Sequence, residues 1–295
     1  MPKAKWKPKA ISDEAKAWLA KPINQRLFCD EPQAELEQFL DGDDILLGAV
    51  SFDLGQISFR YSVLAEAKVL DRPEESLEHL IQSQQYKLRQ YQMFIRVNAL
   101  DHRSEKQGRV AFNEAGLFLA RLIALGYFAE VETLSSRMLL ALRENLYYGI
   151  ETTKAAPFIF DLYAKSRGEF ISFEGFDVER VEIYQKMVEL LPSASLGEVL
   201  SSVTKACDYH VERGQYSDDE VDYEYDSDLD RIFPAEILAF LRLRQKMGLT
   251  APEIRHLVLN NPLAKLHEPK PFPDDPFLDR VIQAADVLLR EQEGQ

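Results

Sequence analysis

The stretch DDILLGAVSFDLGQISFRYSVLAEAKVL, residues 43–70, decides the class of this chain. Leu47, Val50, Leu54, Ile57, Tyr61, Leu64 and Lys68 recur in it at intervals of three and four. All but Lys68 are apolar or aromatic, which describes one face of an α-helix. Asp71-Arg72-Pro73-Glu74 then reads as a stop followed by a start. A proline in the first turn of a helix gives up no hydrogen bond that the helix would have made. The helix it opens carries Leu77, Ile81, Gln84, Leu88, Tyr91 and Ile95 on one stripe.

Working outward, the same signals recur. Residues 1–11 read as a basic tail. A short helix is expected from Ser12, with Ser12 as its cap, Asp13 and Glu14 in its first turn and Pro22 at its end. Another is expected over 32–40, stopping at Asp41-Gly42. Downstream, 101–108 is a polar connection. A third long helix is expected over 109–125 with Gly126 as its C-terminal cap, and a fourth over 130–148. These four helices could close an antiparallel bundle. After a break at 165–175, whose FISFEGF run could be extended, helices are expected at 177–191 and 196–214. Pro234 opens AEILAFLRLRQKMG, closed by Gly248. Thr250-x-x-Glu253 has the form of a capping box for a short turn. Residues 260–276 read as loop, and a last helix follows at 277–290. No repeat of fixed period appears. The expectation is an all-α, multi-helix bundle with little or no sheet. Its divisions are a tail at 1–11, an N-terminal bundle at 12–165 and a C-terminal helical region at 166–295.

At 295 residues and 46% hydrophobic, the chain can bury a substantial core. Its formal net charge of −14 disfavours direct binding to nucleic acid or to an anionic membrane, and favours a basic partner. Two cysteines, Cys29 and Cys207, make no disulfide framework. The basic start is followed by no apolar run, and no stretch is long and apolar enough to span a membrane. A cytoplasmic location is expected.

The acidity is concentrated at 217–230, SDDEVDYEYDSDLD. Asp218, Asp219, Glu220, Asp222, Glu224, Asp226, Asp228 and Asp230 fall there with no basic residue among them. From Glu220 onward the acids occupy every second position, with Val221, Tyr223, Tyr225, Ser227 and Leu229 between. A period of two fits an extended segment, with carboxylates on one edge and apolar or aromatic side chains on the other. Two readings fit. One is a negative strip backed by tyrosines that attracts a basic protein surface. The other is a solvated loop between helices, exposed for want of partners for so many charges.

Motifs that carry chemistry are missing. The sequence has no glycine-rich phosphate loop, nucleophile elbow or zinc-protease helix. The histidines are scattered. Cys207 and His210 share a helical face but lack the further ligands a zinc site needs, so a packed cysteine and a surface histidine are expected. The acidic tract lacks the turn glycine of a helix-loop-helix calcium site. Phe52, Phe59, Tyr61, Tyr91 and Phe94, at helical spacing, read as core. Arg242 and Arg244 read as the polar side of their helix, able to pair with the acidic tract. No catalytic residue, metal or cofactor is expected.

The C-terminal third carries a resemblance. KACDYHVERG (205–214), the acidic tract, IFPAEILAFLRLRQKMGL (232–249) and HLVLNNPLAKL (256–266) together look like the helical immunity proteins of type VI secretion effector–immunity pairs. FPAEILAFLRLR is the most distinctive run. The two long helices upstream are similar in style to the N-terminal part of such proteins. The resemblance implies an all-α cytoplasmic protein that neutralises a cognate antibacterial toxin, a basic nuclease-like protein, by direct contact. It brings no catalytic residues. On this reading the partner-binding residues are Asp218, Asp219, Glu220, Asp222, Tyr223, Glu224, Tyr225, Asp226, Asp228 and Asp230. A helical adaptor for another protein, and an enzyme whose acids hold a metal, are the alternatives.

Overall fold

The computed structural model describes residues 7–100, 110–144, 146–173, 178–214, 224, 225 and 227–293. It is all-α. In chain order the helices are α1 (Pro8–Leu19), α2 (Pro22–Gln25), α3 (Glu31–Asp41), α4 (Leu47–Lys68), α5 (Pro73–Leu100), α6 (Phe112–Leu125), α7 (Phe128–Arg143), α8 (Ala155–Ser166), α9 (Glu182–Leu190), α10 (Leu196–Arg213), α11 (Asp228–Ile232), α12 (Ala235–Lys246) and α13 (Pro276–Glu293). A single π-helical turn, Arg26–Asp30, joins α2 to α3, and a 3-10 turn covers Leu257–Leu259. Among the described residues the sheet is one parallel pair of two-residue strands, β1 (Val110–Ala111) and β2 (Tyr147–Tyr148).

The chain divides into two compact units, and the division is not the sequence boundary at 165. One unit is 9–108 with 271–295; the other is 109–270 with the first eight residues. The four long helices expected to form one bundle are therefore shared out, α4 and α5 to one unit, α6 and α7 to the other.

In the first unit α4 and α5 form an antiparallel hairpin across the Asp71-Arg72-Pro73 turn. Its stripes pack as the periodicity requires, with Val50, Leu54, Leu77, Leu80 and Tyr91 buried. Serines fasten the two helices: Ser58 Oγ donates to the Ser83 carbonyl at 2.9 Å and Ser76 Oγ to that of Ala65 at 2.6 Å. The last helix, α13, completes this unit. Leu278, Val281, Ala285 and Leu289 enter one core with Leu36 and Phe39 of α3, Leu54 of α4 and Tyr86 of α5. Asp275 anchors its start by accepting from the Leu278 N–H at 3.0 Å and from the Tyr86 hydroxyl at 2.7 Å.

Several local expectations need correction here. Helix α1 begins at Pro8, so Ser12 is not its cap; it is buried and donates to the Ala67 carbonyl at 2.9 Å. The α4 helix starts at Leu47, four residues after Asp43. Phe52 and Phe59 are exposed, not core.

In the second unit α6 and α12 are central. α12 packs against α6, α8 and α10, and α6 packs against α7 and α8. Gly116 lets α6 approach α8: a Cβ there would lie 2.4 Å from Ala156 Cα. Gly126 ends α6 in the left-handed region at φ +88°, with the Tyr127 N–H returning to the Leu122 carbonyl at 2.9 Å. The fourth helix stops at Arg143, and the chain over 147–148 pairs as strand β2. No helical turn forms at Thr250–Glu253.

α12 differs most from expectation. It is buried continuously from Ala235 to Arg244. Arg242 and Arg244 are interior, and both are used as caps for carbonyls, not as partners of the acidic tract. Arg242 Nε donates to the Ala124 carbonyl at 3.1 Å and its guanidinium also reaches the His267 carbonyl. Arg244 donates to the carbonyls of Leu190, Leu191, Ser193 and Thr250 at 2.9–3.1 Å. It thus closes the C-terminus of α9, where carbonyls have no partner within the helix. Among the described residues no helix is long and apolar enough to cross a membrane.

Candidate partner-binding region

Helix α10 delivers the chain to the acidic tract and α11 receives it. At the neck between them the Tyr225 N–H donates to the Arg213 carbonyl at 3.2 Å. This bond brings the two described ends of the tract, Arg213 and Tyr225, together. Asp218, Asp219, Glu220, Asp222, Tyr223 and Asp226 lie outside the described residues. Glu224, Tyr225, Asp228 and Asp230 lie within them, and three of these four are not on the surface.

Glu224 is 7% exposed. Its carboxylate accepts from the backbone N–H groups of Lys154, at 2.6 Å, and Ala155. These are the N-cap and the first residue of α8, and the Lys154 side chain makes no cap of its own. Glu224 supplies that cap from elsewhere in the chain, where N–H groups and helix dipole both favour an anion. The Tyr209 hydroxyl donates to its other oxygen at 3.3 Å. Asn113 Nδ2 holds its backbone carbonyl at 2.8 Å. Burial pushes the Glu224 pKa up, and the two backbone N–H groups pull it part of the way back.

Tyr225 is fully buried. Its ring stacks on His210 with centroids 4.4 Å apart, and its hydroxyl meets that of Tyr184. His210 is also fully buried, contrary to the expected surface histidine. Its Nδ1 lies 2.8 Å from Glu236 Oε1 on α12, and its Nε2 lies 3.4 Å from the Arg231 carbonyl. Cys207 is buried on the same helix, and burial raises its thiol pKa far above the usual thiol range. Among the described residues no group of three or more His, Cys, Asp or Glu side chains is placed to hold a metal.

Asp230 is 7% exposed and pairs with the buried Arg121 guanidinium of α6. It also closes a cap. Ser227 Oγ accepts from the Asp230 N–H at 3.1 Å and donates to Asp230 Oδ2 at 2.5 Å. Asp228, at 23% side-chain exposure, faces Arg231 at 3.1 Å. The expected surface placement is therefore corrected for Glu224, Tyr225 and Asp230, and so is the extended form over 228–230, which is helical. The physical reason is that each buried acid has found donors: helix N–H groups for Glu224, a guanidinium and a hydroxyl for Asp230. The Ser-x-x-Asp spacing of 227–230 was a readable sign of this cap; nothing in the local sequence pointed to the α8 N-terminus.

A cleft of about 450 Å³ lies between α8 and α9, lined by Phe158, Asp161, Arg180 and Tyr184. Across it the Arg180 guanidinium pairs with Asp161, and Lys154 pairs with Glu179 at 2.6 Å. No family model matches this chain, and no curated protein or solved structure matches it.

Proposed function

We propose that this chain is an immunity-type binder that neutralises a cognate secreted antibacterial toxin, a nuclease with a basic active face, by protein–protein contact and without chemistry of its own. The observation that carries this reading is the neck at Arg213 and Tyr225. The segment it closes supplies Asp218, Asp219, Glu220 and Asp222 and no base. Glu224 and Tyr225 bolt one end of that segment into the core. Fixing the ends of a loop lowers the entropy lost when it binds. Its charge would steer a basic partner at long range, in keeping with the chain's net charge of −14.

The test is association kinetics against the product of the gene next to this one, if that gene encodes a secreted nuclease. The variant replaces Asp218, Asp219 and Asp222 by Asn and Glu220 by Gln. Its association should slow roughly tenfold at low salt, and the two proteins should converge as salt rises. Failure of the wild-type chain to bind that nuclease, or to protect cells expressing it, would end the reading.

A further inference from the structure

A second acidic stretch lies in the other unit. Between Arg26 and Phe52 the chain has seven carboxylates and, apart from Arg26 itself, no base. That stretch supplies a net −6 of the chain's −14 in under a tenth of its length. Arg26 is neutralised on the spot by Glu31 at 3.2 Å.

Large apolar side chains are exposed on the same group of elements, for the π-helical turn packs against both α3 and α4. The rings of Trp18 on α1, Phe28 on the π-helical turn and Phe59 on α4 meet at centroid distances of 5.0–5.6 Å. Phe59 is nevertheless 44% exposed, and Phe52, seven residues earlier on the same face of α4, is 61% exposed. Leu27 beside Phe28 is exposed as well. Single exposed apolar residues are ordinary; aromatic side chains clustered on one face, rimmed by unlike-polarity groups, mark interaction surfaces. A π turn inside a helical run is often found at functional sites.

We propose that this aromatic face, rimmed by Asp30, Glu31 and Glu35, docks a basic amphipathic segment of the protein partner. The inference rests on the reading above in one respect, that the partner is basic. Charge complementarity selects the occupant. A second copy of the chain would bring acids against acids, whereas a helix with lysines beside leucines matches rim and centre at once. Aromatic side chains at the centre would supply most of the affinity, and the rim carboxylates the orientation and approach.

The experiment uses the full chain and a defined probe: a synthetic amphipathic helical peptide of lysine and leucine, with an all-lysine peptide as comparison. Binding is followed by calorimetry and by tryptophan fluorescence. Two surface variants are made, Leu27→Ser with Phe52→Ser, and Glu31→Gln with Glu35→Gln. The third variant is the neutralised 218–222 loop. Circular dichroism and thermal melting establish that each is folded; Leu27, Glu31, Glu35 and Phe52 are exposed, so folding should persist in the two surface variants. Roughly tenfold or greater weakening is expected in the apolar variant, with a smaller, salt-sensitive loss in the charge variant. The all-lysine peptide should bind more weakly than the amphipathic one. Unchanged affinity in both surface variants, with loss in the loop variant, would overturn this inference and leave the basic-partner reading standing. Equal affinity for the two peptides would also overturn it, since the aromatic centre would then contribute nothing. No binding of the amphipathic peptide to the wild-type chain would overturn it too, while toxin binding, measured separately, would decide the reading on which it rests.

Discussion

Arg244 heads the fully buried side chains by volume, and it is a cation without a carboxylate in its hydrogen-bond set. Burial alone pulls its pKa down. What makes the position tolerable is the fork of N–H donors aimed at four carbonyls, three of them at and just beyond the end of α9. Replacing it by methionine keeps the bulk but strands those carbonyls, so Arg244→Met should cost on the order of 3 kcal/mol or more. Arg244→Lys should recover little of it, because an ammonium has three donors on a single point and cannot span the set. Urea denaturation checks both; a loss under 1 kcal/mol for the methionine variant would show that water replaces the guanidinium. A hint of this role was present in the sequence. Residues two apart on a helix do not share a face, so Arg242 and Arg244 in FLRLR could not both lie on one polar side. An apolar run on every side of them is the mark of a central helix. What could not be read locally is which carbonyls they close, since those belong to residues far away in the chain.

Between elements, the contact of α3 with α4 contains a buried carboxyl whose pKa is raised. Asp53 is buried on α4, one of its carboxyl oxygens has no hydrogen-bond partner, and burial together with Glu35 on α3 raises its pKa to about 7. The folded chain therefore keeps a proton that the unfolded chain releases near pH 4. Stability contributed by this group is present below that pH and is lost as the pH rises through the interval from about 4 to about 7. Asp53→Asn should remove that slope and stabilise the protein by roughly 1–3 kcal/mol at pH 8, with little difference at pH 4. Urea midpoints of both proteins across this range test it, and parallel curves would rule it out. The elements themselves were largely legible. The stripes of α4 and α5, the glycine ends at Gly42 and Gly126 and the span of α12 follow from period and cap chemistry. The misplaced starts have a common cause: Ser12 and Thr250 resemble caps, but tertiary partners outweighed local propensity at both. In the acidic tract the alternation of Glu224, Tyr225 and Asp230 hid their burial. A carboxylate becomes an interior residue when distant donors meet it, and period reports nothing of donors elsewhere in the chain.

At the scale of the whole molecule, chain order and spatial order part at Lys270. The last helix belongs with the first five, not with the seven that precede it. Its stripe of Leu278, Val281, Ala285 and Leu289 announces a buried face, but periodicity cannot say against what. Three of those four side chains each contribute about 1.5–3 kcal/mol by burial, and the pairs Tyr86–Asp275 and Arg96–Asp286 go with them. Their sum is comparable to the whole stability of a small domain. A chain ending at Lys270 should therefore lose the 9–108 unit, while 109–270 keeps its own core of α6, α8 and α12. Hydrogen exchange distinguishes the two outcomes. Amides of α4 and α5 should exchange freely in the shortened chain, and those of α6 and α12 should stay protected as in the full one. Loss of protection in both sets together would mean that the two units unfold as one cooperative body. Retention in both would mean that α13 contributes far less than its buried leucines imply.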